Sequence, residues 1–224
     1  MKTYEEQYYS AIELAASHRI SLPCMANQTW LEDPKRLLFM LSRYKQVGVL
    51  LREMENVLEL GCGDGFGTSI VAQYVKVLLA LDADPLLINE ARKYSSRTNI
   101  EYNIFNFLEP QTFPGEHKRF NGIYALDVFE HLQPSYSHAF GKLVVSHLAY
   151  DGTFICGIPS LESQPYASER SRAGHVNCLS ASDFLNFWKQ YFGTVQILSM
   201  NDEVLHTGFW PMSHYVLALC NYPK

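Results

Sequence analysis

In the stretch "VLELGCGDGFG", residues 57–67, an acid is followed by glycines at every second position: Glu59, Gly61, Gly63, Gly65 and then Gly67. Glycine has no Cβ, so a turn made of several lets a ligand lie directly on the backbone, and the apolar run in front marks the turn as the end of a strand. A nucleotide-like cofactor is the ligand such a turn suits. The dinucleotide fingerprint of hydride-transfer enzymes, G-x-G-x-x-G, fits in no register, because its third glycine falls on Phe66, Thr68 or Ile70. Cys62 stands inside the loop with no base beside it in sequence, which suits a small side chain packing behind the loop better than a nucleophile.

A second acid belongs with the loop. "LALDADP" ends the next apolar run with Asp82 and Ala83, about twenty residues after Gly61, the separation at which a carboxylate reaches the ribose hydroxyls of a cofactor held over the first turn. Asp84 directly precedes Pro85 and reads instead as the cap of a helix that starts there. Further along, Asp127 and His131 in "LDVFEHL" follow a later strand, at the edge where doubly wound sheets place their ligands. Asp127 either pins its turn or touches a ligand, and His131 either lines the cofactor pocket or acts as a base. His175, in "GHVNCLSASDF", ends a polar stretch with two prolines at 159–177 that is expected to be a long loop and a lid. Tyr166, Arg170 and Arg172 in the same stretch either bind an anionic acceptor or are simply solvated.

The elements needed to position these residues are legible as patterns. Ahead of the glycines run helical segments, "EEQYYSAIELAA" and "DPKRLLFMLSRYKQVGVLLR", the latter with Asp33 as cap, Pro34 at the first turn, and Leu37, Leu41, Tyr44 and Leu51 at helical spacing. From residue 56 onward short β-type runs alternate with helical ones, which predicts an α/β fold with a doubly wound, mostly parallel sheet. The last helix is expected to start at Ser180, with Asp183 in its first turn, and to stop at Gly193. The closing runs "TVQILSM" and "HYVLALC" have no helix between them and suit an antiparallel pair. A single domain is expected, with residues 1–53 a helical cap and 54–224 the core.

Composition narrows the partners. A chain of 224 residues with a formal charge of −5 offers no basic field for a phosphate backbone, so nucleic acid is not expected as a partner. No signal peptide and no run of apolar residues long enough to span a bilayer is visible, so no membrane association is expected. The 5 cysteines form no C-x-x-C pair, which argues against a disulfide framework and a structural zinc, and points to a reducing cytoplasm with no metal.

Together "VLELGCGDGFG", "LDADPLLINEAR" and "ALDVFEHL" resemble the class I S-adenosylmethionine-dependent methyltransferases, in the branch that acts on small molecules, from about residue 55 to about residue 200. The resemblance implies a seven-stranded sheet of order 3-2-1-4-5-7-6 with strand 7 antiparallel. It implies that the loop of Glu59, Gly61, Cys62, Gly63 and Gly65 carries the methionine part of the cofactor, that Asp82 with Ala83 takes the ribose, and that Asn106 and Phe107 flank the adenine. Many members have Asp at the position of Asn106, whose amide can still pair with the adenine amino group. Asp127 is counted with the cofactor residues, and His131 and His175 as candidate bases. "LEDPKRLLFMLSRYK" is similar to a stretch in a subset associated with bacterial surface-polysaccharide pathways, in which Arg43 and Tyr44 would close over cofactor or acceptor; an amphipathic helix packing on the sheet is the plainer reading. The implied reaction is methyl transfer from S-adenosylmethionine to an oxygen, or less commonly a nitrogen, of a small polar metabolite such as a sugar or phosphorylated compound. Its rivals are an NAD-dependent oxidoreductase and a non-catalytic cofactor-binding subunit of the same fold.

Overall fold

A computed structural model describes residues 5–17, 21–109, 112–114 and 119–224. A 3-10 turn at Glu6–Tyr8 leads into α1 (Tyr9–Ser17), followed by α2 (Cys24–Glu32) and α3 (Lys35–Leu50). Pro34, expected at the first helical position, stands just before α3 in the capping place, and Asp33 Oδ1, expected as the cap, accepts from the Lys35 N–H at 3.2 Å. The helix buries Leu37, Tyr44, Val47 and Gly48 on one face, so it packs on the sheet while Arg43, one position from Tyr44, reaches toward the strand ends.

The sheet alternates as expected: β1 (Asn56–Leu60), α4 (Thr68–Val71), β2 (Val77–Asp82), α5 (Pro85–Tyr94), β3 (Ile100–Ile104), β4 (Phe120–Leu126), α6 (Ser137–His147) and β5 (Leu148–Pro159). Then come α7 (Glu169–Gly174), α8 (Ala181–Trp188), β6 (Phe192–Asn201), β7 (Val204–His206) and β8 (Tyr215–Pro223). The order across the sheet is β3-β2-β1-β4-β5-β8-β6-β7. The first five strands are mutually parallel and β8 runs antiparallel to both β5 and β6. This is the expected order with β8 as the antiparallel strand, extended by an eighth strand at the edge.

The eighth strand was not foreseen. Asn201 pairs with Val204 across a tight turn at Asp202, whose φ of 51° lies in the left-handed region that hairpin turns require and that Asp tolerates. Two further expectations are corrected. The last helix ends at Trp188, and Gly193 lies inside β6, because Phe192 is drawn into the sheet to stack on Phe154 with ring centroids 5.8 Å apart. The polar stretch 159–177 is not a structureless loop: it holds a 3-10 helix at Leu161–Tyr166 and then α7. Each is started by a serine, Ser160 Oγ accepting from the Ser163 N–H and Ser168 Oγ from the Ser171 N–H, both at 3.1 Å.

Alternation along β1 divides the core into two layers. Leu58 and Leu60 face a cluster with Phe129, Phe140, Phe154 and Trp188, while Val57 faces Tyr44, Val47, Leu51 and Tyr124 beneath α3. Glu59 points to the second side, so a carboxyl group is carried into an apolar layer directly under the glycine loop. None of the helices among the described residues is long and apolar enough to cross a membrane.

Candidate active site

The glycine loop leaves the end of β1 with Gly61, Gly63 and Gly65 all at positive φ, 79°, 55° and 73°. At Gly61 a Cβ would also overlap the Val128 side chain, so the turn is closed against the β4 end. At Gly63 a Cβ would meet nothing within 4 Å, which leaves that stretch of backbone open to a ligand. Asp82, at the end of β2, fastens the loop: its Oδ2 accepts from the Gly63 N–H at 2.8 Å and its Oδ1 from the Asp84 N–H at 2.9 Å. Asp84 in turn caps α5 through the Leu86 N–H at 2.8 Å, as expected from Pro85.

A cavity of about 690 Å³ opens over this loop. Gly61, Cys62, Gly63, Asp82, Ala83, Asn106, Phe107, Asp127 and His131 all line it, and so does Tyr44. The Asn106 side chain also holds its own turn, its Oδ1 accepting from the Leu108 N–H and its Nδ2 donating to Glu109 Oε1. Cys62 is buried, and burial pushes its thiol far above the ordinary range, which removes it as a nucleophile at neutral pH. Two residues of the cofactor set stay behind the loop. Gly65 packs against Tyr102 and Ala91. Glu59 is 1% exposed, its Oε2 has no partner among the described residues, and burial pushes its carboxyl up to about 7, with the nearby hydroxyls of Thr68, Tyr124 and Tyr44 partly offsetting the shift.

A second cavity of about 840 Å³ lies on the other side of Asp127, lined by Arg43, Gln164, Tyr166, His175 and His214 among others. Arg43 and Asp127 form the wall between the two: Arg43 Nη1 donates to Asp127 Oδ2 at 2.8 Å and to Oδ1 at 2.9 Å, and its guanidinium lies 3.7 Å over the Tyr215 ring. Asp127 takes a φ of 56°, a left-handed turn that aims its carboxylate back at α3. His131 lines the first cavity and His175 the second, with ring centroids 5.2 Å apart. Burial, and then the neighbouring His131, lowers the pKa of His175, so its ring is neutral at pH 7. Arg170 and Arg172 lie exposed on α7 and line neither cavity, so the structure does not bring them to the site.

The description "Methyltransferase domain" matches residues 28–191, most of the chain. The chain belongs to the methyltransferase-domain family. Solved structures of methyltransferases share the fold of this chain. The N-methyltransferase NodS from Bradyrhizobium japonicum, in complex with S-adenosyl-L-homocysteine, is 18% identical, with a TM-score of 0.64 over 98% of this chain and 100% of that one. The methyltransferase domain of bacterial CtHen1-C is 16% identical, with a TM-score of 0.66 over 82% and 98%. A TehB-like SAM-dependent methyltransferase from Corynebacterium glutamicum is 14% identical, with a TM-score of 0.60 over 97% of each chain. No curated protein matches this methyltransferase by sequence.

Some residues around the two cavities were not visible in the sequence. Asp64, an apparently incidental residue between glycines, accepts from the Met25 N–H at 2.9 Å and the Ala26 N–H at 3.0 Å, so it caps α2 from a different part of the chain. The residue ahead of α2 is Pro23, which has no side-chain acceptor to offer. This contact draws Met25 over the first cavity, where α3 adds Met40. Gln164 orients His175, its Oε1 standing 2.9 Å from Nδ1. Only the length of the 159–177 stretch hinted that something there faces the site.

Proposed function

We propose that the chain transfers the methyl group of S-adenosylmethionine, held in the 690 Å³ cavity, to an oxygen of a small polar acceptor bound in the second cavity. The observation that carries this reading is the shared wall: Arg43 with Asp127, and His131 beside His175, separate two cavities that both open at the strand ends. The residues present fit the cofactor. The open backbone at Gly63 suits its methionine end, Asp82 has lone pairs left for ribose hydroxyls, and Asn106 and Phe107 line the far end as an adenine would need. S-adenosylmethionine supplies an already activated methyl group, so the protein has mainly to align the acceptor and exclude water, and alignment alone can supply about 7–11 kcal/mol.

A hydroxyl acceptor is favoured over an amine by the two imidazoles. An O–H must lose its proton as the new O–C bond forms and the S–C bond breaks, and a ring nitrogen of His175 or His131 is placed to take it. Arg43, although paired, lines the second cavity, which suits an acceptor rich in oxygen, such as a sugar or a phosphorylated metabolite. Mass spectrometry of metabolite pools incubated with the protein and cofactor tests the reading: one hydroxyl compound should gain a single methyl. Tight cofactor binding with no methylated product in any pool would show a binding subunit instead, and methylated amines would move the acceptor atom to nitrogen.

A further inference from the structure

Glu130 is fully buried, and neither of its carboxylate oxygens has a hydrogen-bond partner among the described residues. Its main chain is fixed, because its carbonyl accepts from both the Val176 and Asn177 N–H groups at 2.9 Å. A carboxylate oxygen of Glu130 and one ring nitrogen each of His131 and His175 lie within 4.8 Å of one another. A buried carboxylate without a partner is costly, so the group needs a proton or a cation.

Both imidazoles are oriented from behind. His131 Nδ1 stands 2.9 Å from the Gly174 carbonyl oxygen and His175 Nδ1 stands 2.9 Å from Gln164 Oε1. The Gln164 amide is set in that sense, since its Nε2 donates to the Ser160 carbonyl at 3.1 Å and to Ser163 Oγ at 3.3 Å. A carbonyl oxygen only accepts, so Nδ1 carries the proton in each ring and Nε2 keeps its lone pair. Histidines pinned through the far nitrogen to a carbonyl are how metal sites fix the tautomer and direction of their ligands. Two imidazoles and one carboxylate, with further positions open, suit a divalent first-row transition ion.

We propose that Glu130, His131 and His175 bind a divalent transition-metal ion whose open positions face the acceptor cavity. The expectation of no metal rested on cysteine spacing, which a site of this composition does not use. Ligands at bonds of about 2.0–2.2 Å stand about 3–3.5 Å apart, so the three groups draw together on binding. The ion is the partner that the Glu130 oxygens lack. Its part in the reaction rests on the methyl-transfer reading: an acceptor hydroxyl coordinated to it gives its proton to water more readily than a free one, so the ion takes over the activation that the ring lone pairs provide without it.

Equilibrium dialysis of the full chain against Co²⁺, read by visible d–d bands and elemental analysis, tests the site without any acceptor. Wild type takes up Co²⁺ stoichiometrically, while Glu130→Gln and His175→Asn each weaken uptake by more than about 100-fold, since each removes a ligand outright. Gln164→Ala, which frees His175 to rotate, weakens it by about 10–100-fold, and Gln164→Glu, which keeps the acceptor, restores it. His138→Asn, outside the cluster, leaves uptake unchanged. The thermal shift with S-adenosylhomocysteine, taken on the same samples, persists in all variants and reports separately on the methyltransferase reading. Absence of Co²⁺ uptake in wild type, or uptake that survives both Glu130→Gln and His175→Asn, overturns the metal site.

Discussion

Around the glycine loop, Gly61, Gly63, Asp82 and Ala83 hang on two adjacent parallel strands, tied by the Gly61 and Cys62 N–H groups to the Leu81 carbonyl and by the Gly63 and Asp84 N–H groups to the Asp82 carboxylate, so their positions follow from neighbouring strand ends. The second cavity is assembled differently: Arg43 comes from α3, Gln164 and His175 from the capped helical stretch after β5, and His214 from the entry to β8. Elements distant in sequence meet there through side chains, above all the Arg43–Asp127 pair. The contrast suggests a division of labour, with a cofactor half built into the fold and an acceptor half laid over it that can change without disturbing the sheet.

If the halves are separable, His175→Ala should lower turnover by about 10²–10⁴-fold while leaving S-adenosylhomocysteine affinity nearly unchanged. Steady-state kinetics beside calorimetry would show it, and a parallel fall in cofactor affinity would break the comparison. The next largest effect lies beneath the loop. The Glu59 carboxyl is raised from its ordinary 4.5 to about 7 in the folded chain. Below pH 4.5 folded and unfolded chains both hold the proton; between there and 7 the unfolded chain releases it and the folded chain keeps it. Its contribution to stability is therefore complete at low pH and lost as pH rises through the folded value, by about 3 kcal/mol in full. Urea unfolding across this range should give a shallower decline for Glu59→Gln than for wild type, and identical slopes would remove Glu59 as a titrating group.

The smallest effects distinguish two caps. Asp84→Ala should cost about 1 kcal/mol through the lost cap of α5, with or without cofactor. Asp64→Ala should cost a similar amount through α2 and, because Met25 is carried over the cavity by that contact, should also weaken cofactor binding. Thermal melts with and without S-adenosylhomocysteine separate the two; equal behaviour would mean that α2 does not bear on the cofactor.

What the sequence revealed follows the same division. The loop, Asp82 and the cap at Asp84 are local patterns, glycines at fixed spacing and an Asp-Pro helix start, and they were readable without the fold. The strand order with its antiparallel end was likewise implied by the resemblance. The edge strand at Val204–His206 was not, because it is only three residues long and depends on a left-handed Asp202. Asp64 as a helix cap, Glu130 as a buried carboxylate and the meeting of His131 with His175 depend on residues brought together across the fold, for which a single sequence carries no signal. Whether Arg170 and Arg172 face the site or the solvent was left open by the sequence, since two arginines in a polar stretch cannot announce which way their helix faces.

The central claim is that the loop after β1 is an S-adenosylmethionine site fastened by Asp82, and thermal unfolding with candidate cofactors tests it most directly. S-adenosylhomocysteine at about 100 times its dissociation constant should stabilise the chain by about 2.7 kcal/mol, whereas NAD(H) should leave the midpoint unchanged. Asp82→Ala should lower the affinity for S-adenosylhomocysteine by about 10- to 150-fold, the value of hydrogen bonds to a charged acceptor. A larger shift with NAD(H), or wild-type affinity in Asp82→Ala, would contradict the account.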